Sequence, residues 1–229
     1  MTVVAAALLN TNAVRKVYPD FSLADFSIQV TANETVGLLG DTGAGKTTIL
    51  DILAGLISPD GGSVQRETDN IGYCFAQLPF PRNLTINQLV HIFRHLAWPW
   101  QDKVFADYVT DFSLPRRTPV ARLVKSQQAA LNLAVTLAHN APLLLLDEVT
   151  EDLDPDDHSI VLAALQAYRQ QHQAGIIIAT RKLDDIRELC DRFILLKQGE
   201  VVTEQTADTY RGKDLNLIIQ HALANRRQG

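Results

Sequence analysis

The sequence predicts an α/β fold organised around a bound phosphate, and three observations predict it. The stretch Gly40-Asp41-Thr42-Gly43-Ala44-Gly45-Lys46-Thr47-Thr48 fits G-x-x-x-x-G-K-[ST] and directly follows Val36-Gly37-Leu38-Leu39, an apolar run with the character of a strand. A second apolar run, Leu143-Leu144-Leu145-Leu146, passes straight into Asp147-Glu148. Strands buried on both faces of a parallel sheet read this way, and their C-terminal ends are where open α/β sheets bind ligands. Third, strand-like and helical runs alternate along much of the chain, as β-α-β crossovers require.

Composition narrows the class. With 229 residues, 46% of them hydrophobic, the chain can bury a sizeable core as one large domain or as a core carrying a small subdomain. Lys plus Arg number 21 against 26 Asp plus Glu. The resulting net charge of −5 argues against a general nucleic-acid or anionic-membrane surface, so no nucleic-acid partner is expected. Cys74 and Cys190 stand far apart without C-x-x-C spacing, which suits buried thiols in a reducing compartment and makes the cytoplasm the expected location. The N-terminal Val3-Val4-Ala5-Ala6-Ala7-Leu8-Leu9 lacks a positive flank and reads as a first strand, not a signal peptide. No other run approaches ~18 apolar residues. Work at a membrane would therefore require another chain.

Taken in order, Val14-Arg15-Lys16-Val17-Tyr18 and Phe26-Ser27-Ile28-Gln29-Val30 alternate apolar and polar positions, predicting antiparallel strands before the phosphate loop. Tyr18, ahead of Pro19, is either a ring for a flat base to stack on or an ordinary strand aromatic. A helix is predicted over 47–56, a turn at Ser58-Pro59-Asp60-Gly61-Gly62 and a buried strand over 70–76 that ends at Gln77. From residue 78 to about 125 the texture becomes helical. Thr85-x-x-Gln88 is a capping-box signature followed by Ile86, Leu89, Val90, Phe93 and Leu96; Val104, Phe105, Tyr108, Val109 and Phe112 line a second helix. Trp98-Pro99-Trp100 separates them, either as a partner-docking patch or as packing inside a helical subdomain. A helix over 126–139 then precedes the strand ending in Asp147-Glu148. Asp154-Pro155 opens a helix with an N-cap acid and a first-turn proline. A strand over 176–180, a helix over 183–189, a strand over 193–196, a turn at Gln198-Gly199 and an amphipathic run over 215–223 complete the chain.

The chemistry of the loop follows from its residues. Glycines let backbone N–H groups turn inward around a β-phosphate, Lys46 reaches the β/γ oxygens and the Thr47 hydroxyl can ligand Mg²⁺. The helix that follows aims its N-terminus at the same anion. With a strand ending in Asp-Glu about a hundred residues on, this predicts ATP hydrolysis, Asp147 serving the metal and Glu148 polarising the attacking water.

Nearly the whole chain resembles the ATP-binding subunit of an ABC transporter. The resemblance implies a P-loop NTPase (RecA-like) core over 1–77 and 134–229 with an N-terminal antiparallel β subdomain, and an inserted α-helical subdomain over 78–133. It also implies roles: residues 40 to 48 (Gly40, Asp41, Thr42, Gly43, Ala44, Gly45, Lys46, Thr47, Thr48) bind ATP, Tyr18 stacks on adenine, and Gln77 is the Q-loop residue, near the water and the metal. Asp147-Glu148 is the Walker B pair, and Asp154 belongs to the D-loop. Implied cofactors are ATP and Mg²⁺. Implied partners are an integral-membrane permease, which would hold the chain on the inner face of the cell membrane, and a second ATP-binding subunit, identical or different. The helical pattern and Leu123-Val124-Lys125-Ser126-Gln127 resemble bacterial exporters whose permease is a separate chain.

Four positions depart from the family pattern. Val124 stands where a signature serine holds the partner's γ-phosphate, and Ser126 where a glycine is usual. Arg181 replaces the switch histidine, offering a permanently charged fork instead of an imidazole. Val149, usually proline, is a milder change. Together they imply ATP binding with slowed hydrolysis, or a regulatory subunit that hardly hydrolyses; Glu148, needless in a purely regulatory site, favours the first.

Overall fold

The computed structural model describes residues 7–96, 99–151 and 153–225. The chain opens with β1 (Ala7–Tyr18), β2 (Phe21–Phe26) and β3 (Gln29–Thr31); β4 (Thr35–Leu39) runs into the phosphate loop and α1 (Lys46–Ala54), and β5 (Gly61–Arg66) and β6 (Ile71–Cys74) follow. β2, β3 and β5 all pair antiparallel with β1. The expected strand over 26–30 is two pieces. Thr11 causes the break: its hydroxyl accepts the Ile28 N–H at 2.8 Å, and Ser27 Oγ accepts the Ala13 N–H at 2.9 Å. Of the N-terminal apolar run, positions 3–6 lie outside the described residues.

Next come α2 (Ile86–Phe93), α3 (Asp102–Asp111), a 3-10 turn (Val120–Arg122) and α4 (Lys125–Ala138), packed on one another through Leu89, Phe93, Phe105, Val109, Leu131 and Val135. The capping box forms as predicted, with the Thr85 hydroxyl accepting the Gln88 N–H and Gln88 Oε1 accepting the Thr85 N–H. Trp98 lies outside the described residues. Trp100 stacks on Phe93, with centroids 5.1 Å apart, and donates its N–H to Asp102 at 2.8 Å, so it packs inside this helical unit. α4 serves two cores. Leu131, Ala134 and Val135 face the helical cluster while Leu133 and Leu137 face the sheet.

The remaining elements are β7 (Leu143–Asp147), α5 (Pro155–His172), β8 (Gly175–Thr180), α6 (Leu183–Leu189), β9 (Arg192–Lys197), β10 (Glu200–Thr206), α7 (Ala207–Tyr210) and α8 (Leu215–Asn225). They complete a six-stranded sheet of order β10-β9-β4-β8-β7-β6, parallel except for β10. Its faces explain the unbroken apolar runs. Leu143, Leu145 and Ile177 face α1 and the antiparallel sheet; Leu144, Leu146, Ile176 and Ile178 face α5 and α6. Each leucine so buried contributes roughly 1.5–3 kcal/mol. The architecture is an α/β P-loop NTPase fold with an antiparallel sheet on one side.

Register places the site. Leu39 lies opposite Thr180, and Asp147 opposite Ala179. Gly40, Glu148 and Arg181 therefore leave three adjacent strands at the same end of the sheet.

Candidate functional site

The loop between β4 and α1 is shaped by close approach. A Cβ on Gly40 would stand 2.6 Å from the Leu196 carbonyl oxygen, and Gly45 has φ 104° with a Cβ position 2.8 Å from the Phe21 ring. Neither position tolerates a side chain without local displacement. Asp41, Thr42 and Gly43 are exposed, while Ala44 is buried. Gly45 caps α1 without any side-chain acceptor, which leaves the first-turn N–H groups and the positive helix end available to an anion. Thr48 continues that turn. Lys46 is buried, and its Nζ donates to the carbonyls of Gly40 (2.7 Å) and Asp41 (3.1 Å) while standing 3.3 Å from Glu148 Oε1.

Two oxygens suit a hard cation. The Thr47 hydroxyl donates to Asp147 Oδ2 at 2.8 Å, and Asp147 Oδ1 is buried with no hydrogen-bond partner. Burial pushes the Asp147 carboxyl up to about 6, with the Glu148 charge adding to the rise and the Thr47 hydrogen bond and Lys46 opposing it. An orphaned buried carboxylate oxygen beside a hydroxyl fits Mg²⁺, which takes few protein ligands and completes its shell with water and phosphate. Among the described residues no group of three or more His, Cys, Asp or Glu could hold a metal by itself. Glu148 adopts φ 51°, a left-handed conformation that its N–H bond to the Ala179 carbonyl (2.9 Å) helps to hold. Gln77 and Glu148 line one cavity of about 390 Å³ between the sheet and α4.

Tyr18, 39% exposed, lines an open cavity of about 590 Å³ together with Phe21, Gly43 and Gln198. The ring and the phosphate loop thus share one space. Lys16 Nζ stands 5.8 Å over the Tyr18 ring and is tied to Asp60 at 2.8 Å. Phe21 and Gln198 were not singled out by sequence; Phe21, three residues after Tyr18 at the start of β2, carried the only usable signal.

The remaining predicted residues are more dispersed. Asp154 Oδ1 accepts the N–H groups of Asp156 and Asp157, capping α5. Val124 is the N-cap of α4, 60% exposed, and Gln127 Oε1 accepts the Val124 N–H at 3.2 Å. Ser126 stands half-buried on the same turn. Arg181 donates its guanidinium to Glu151 Oε2 at 2.7 Å and its backbone N–H to Oε1 at 3.0 Å. One buried group escaped sequence reading altogether. Asp185 accepts from Thr150 (2.6 Å) and Thr180, and its other oxygen lies 2.7 Å from His158 Nε2, which ties the ends of β7 and β8 to α5. Asp185 lies in the first turn of α6 beside Asp184, where an acid is ordinary, so nothing in the sequence flagged it.

Comparison with known proteins shows the family and the fold. The protein-family model described as ABC transporter matches residues 23–151. The chain is 28% identical to the ABC transporter ATP-binding protein YtrB of Bacillus subtilis over 81% of this chain and 67% of that one. It is also 28% identical to a protein of Burkholderia ambifaria named for ribose/galactose/methyl galactoside import ATP binding, over 86% of this chain and 43% of that one. The chain thus spans under half the length of that relative. A solved ATP-binding cassette, dimeric and bound to ADP and Pi, superposes with TM-score 0.77 at 22% identity over 87% of this chain and 98% of that one, a likeness of fold.

Proposed function

The chain belongs to the ABC transporter family of ATP-binding proteins, and from that premise we propose that it binds Mg-ATP and hydrolyses it slowly, driving closure against a second ATP-binding subunit. One observation carries this reading: Lys46 and Thr47, which follow β4, converge within hydrogen-bond or ion-pair distance on Asp147 and Glu148 at the end of β7, across the intervening β8. Lys46 meets the β/γ oxygens, the α1 N-terminus meets the β-phosphate, and Tyr18 receives the base. Thr47 and Asp147 would hold Mg²⁺, and Gln77 lines the cavity it shares with Glu148. When bound, the metal neutralises phosphate charge and orients the terminal phosphoryl group. Glu148 would accept a proton from the attacking water, a role its half-buried, left-handed placement leaves open.

The partner reading is part of the same proposal. Among the described residues no helix is long and apolar enough to cross a membrane. In this reading a permease on a separate chain brings the subunit to the inner membrane face. The signature-region pattern over 123–127 supports an exporter-type assembly, with residues 78–133 as the helical subdomain. Val124, unable to donate a hydrogen bond, and Arg181, already paired with Glu151, support the second reading, a regulatory subunit that closes on ATP and scarcely turns it over.

Lys46→Ala tests the site. Equilibrium dialysis with labelled Mg-ATP should show binding lost at micromolar nucleotide, because the backbone nest alone does not offset the β/γ charge. Undiminished binding would remove the phosphate loop from the site.

A further inference from the structure

Arg181 and the phosphate loop are neighbours by construction. Leu39 and Thr180 are register partners in parallel strands, so Gly40-Asp41 and Arg181 emerge side by side, and all three line one cavity of about 350 Å³. Two of the cations at this end of the sheet, Lys46 and Arg181, are already engaged by carboxylates. Lys46 stands against Glu148, and Arg181 is gripped by both oxygens of Glu151, one on its guanidinium and one on its backbone N–H. The Glu151 side chain is 15% exposed and that of Arg181 47%, so the acid is set in the protein while the base reaches toward solvent. A carboxylate and a phosphate present the same paired oxygens to a guanidinium fork.

We propose that Glu151 is a specificity-determining residue, whose carboxylate competes with the terminal phosphate of a bound nucleoside triphosphate for Arg181. This rests on the phosphate-loop reading above and deepens it. A diphosphate lacks the terminal group that would draw Arg181 away, so Glu151 lowers the preference for triphosphate over diphosphate. Exchange of Arg181 between the two anions breaks no covalent bond and moves no proton.

Calorimetric dissociation constants for Mg-ADP and for the non-hydrolysable β,γ-imido analogue of Mg-ATP test it in wild type, Glu151→Gln, Arg181→Gln and the double variant. Glu151→Gln keeps the side-chain shape and an oxygen for the Arg181 N–H. It should tighten the triphosphate about fivefold, the upper end for a half-exposed ion pair, with ADP unchanged. The gain should shrink in high salt and vanish in the double variant. Glu151→Asp, which keeps the charge, should retain the wild-type preference. Arg181→Gln alone should move the triphosphate-to-diphosphate ratio by less than twofold, which keeps the idea testable should Glu151→Gln not fold. Equal changes for both nucleotides, a gain that survives without Arg181, or a large loss of preference in Arg181→Gln would each overturn the proposal. Nucleotide binding that ignores Lys46→Ala would instead overturn the phosphate-loop reading itself.

Discussion

Asp147 shows how one side chain can be chosen against stability. Its carboxyl is buried, with one oxygen bonded to Thr47 and the other left without a partner, and burial holds it protonated up to about pH 6. An unfolded aspartate releases its proton near pH 3.9. Between those values the native state holds a proton that the unfolded state has lost, so unfolding releases it and stability falls as pH rises from about 4 to 6. The accumulated penalty well above pH 6 is about 3 kcal/mol. A pocket that penalises its own carboxylate is ready for a counter-charge, which is what Mg²⁺ supplies. In metal-free, nucleotide-free protein, Asp147→Asn should therefore gain stability relative to wild type by about 2 kcal/mol between pH 4.5 and pH 7. Urea midpoints of both proteins at the two pH values measure this. A difference that does not change with pH would mean that the carboxyl titrates normally.

At the scale of elements, α4 links the helical unit to the sheet, and its N-terminus is underprotected. Val124 occupies the N-cap with extended φ and ψ but has no acceptor for the first-turn N–H groups. A serine there supplies one, and such a cap is worth ~1 kcal/mol. Val124→Ser should raise the melting temperature of the nucleotide-free protein by roughly 2–4 °C, read by calorimetry; a lowered value would mean that the exposed isopropyl group packs usefully. Elements with strong periodicity were legible in the sequence. The leucine run of β7 declared a strand buried on both faces, Thr85 and Gln88 declared the start of α2, and Asp154-Pro155 that of α5. Strands β5 and β10 were not legible, because they are edge strands with mostly exposed polar residues and only a few apolar positions to reveal a period. The phosphate loop and the acidic pair announced themselves through local chemistry. Phe21, Glu151 and Asp185 act through partners distant in sequence, and only register and packing bring them to the site.

At the scale of the whole molecule, the proposed site is half of an interface. Subunits that close head to tail place each nucleotide between one chain's phosphate loop and the other's signature turn, where Val124 is 60% exposed on this chain. Glu148→Gln keeps the side-chain shape but cannot accept the water's proton, so it should keep ATP affinity, lose residual turnover and accumulate an ATP-dependent dimer on sizing chromatography. A homodimer would carry Val124 and Arg181 at both sites; pairing with a different subunit would leave the site on this chain's phosphate loop facing an unaltered signature. In the proposed assembly, the hydroxyl missing at Val124 would withhold one charge-assisted hydrogen bond, worth ~1.5–3 kcal/mol. If that bond limits the rate, Val124→Ser should raise steady-state hydrolysis by roughly 10- to 150-fold. If Arg181 limits it instead, Val124→Ser will tighten ATP-driven association with little gain in turnover, and only the double change with Arg181→His will accelerate hydrolysis. Rates for the two single variants and the double variant separate these outcomes. Should none exceed wild type, the altered signature and switch are not what slows this site.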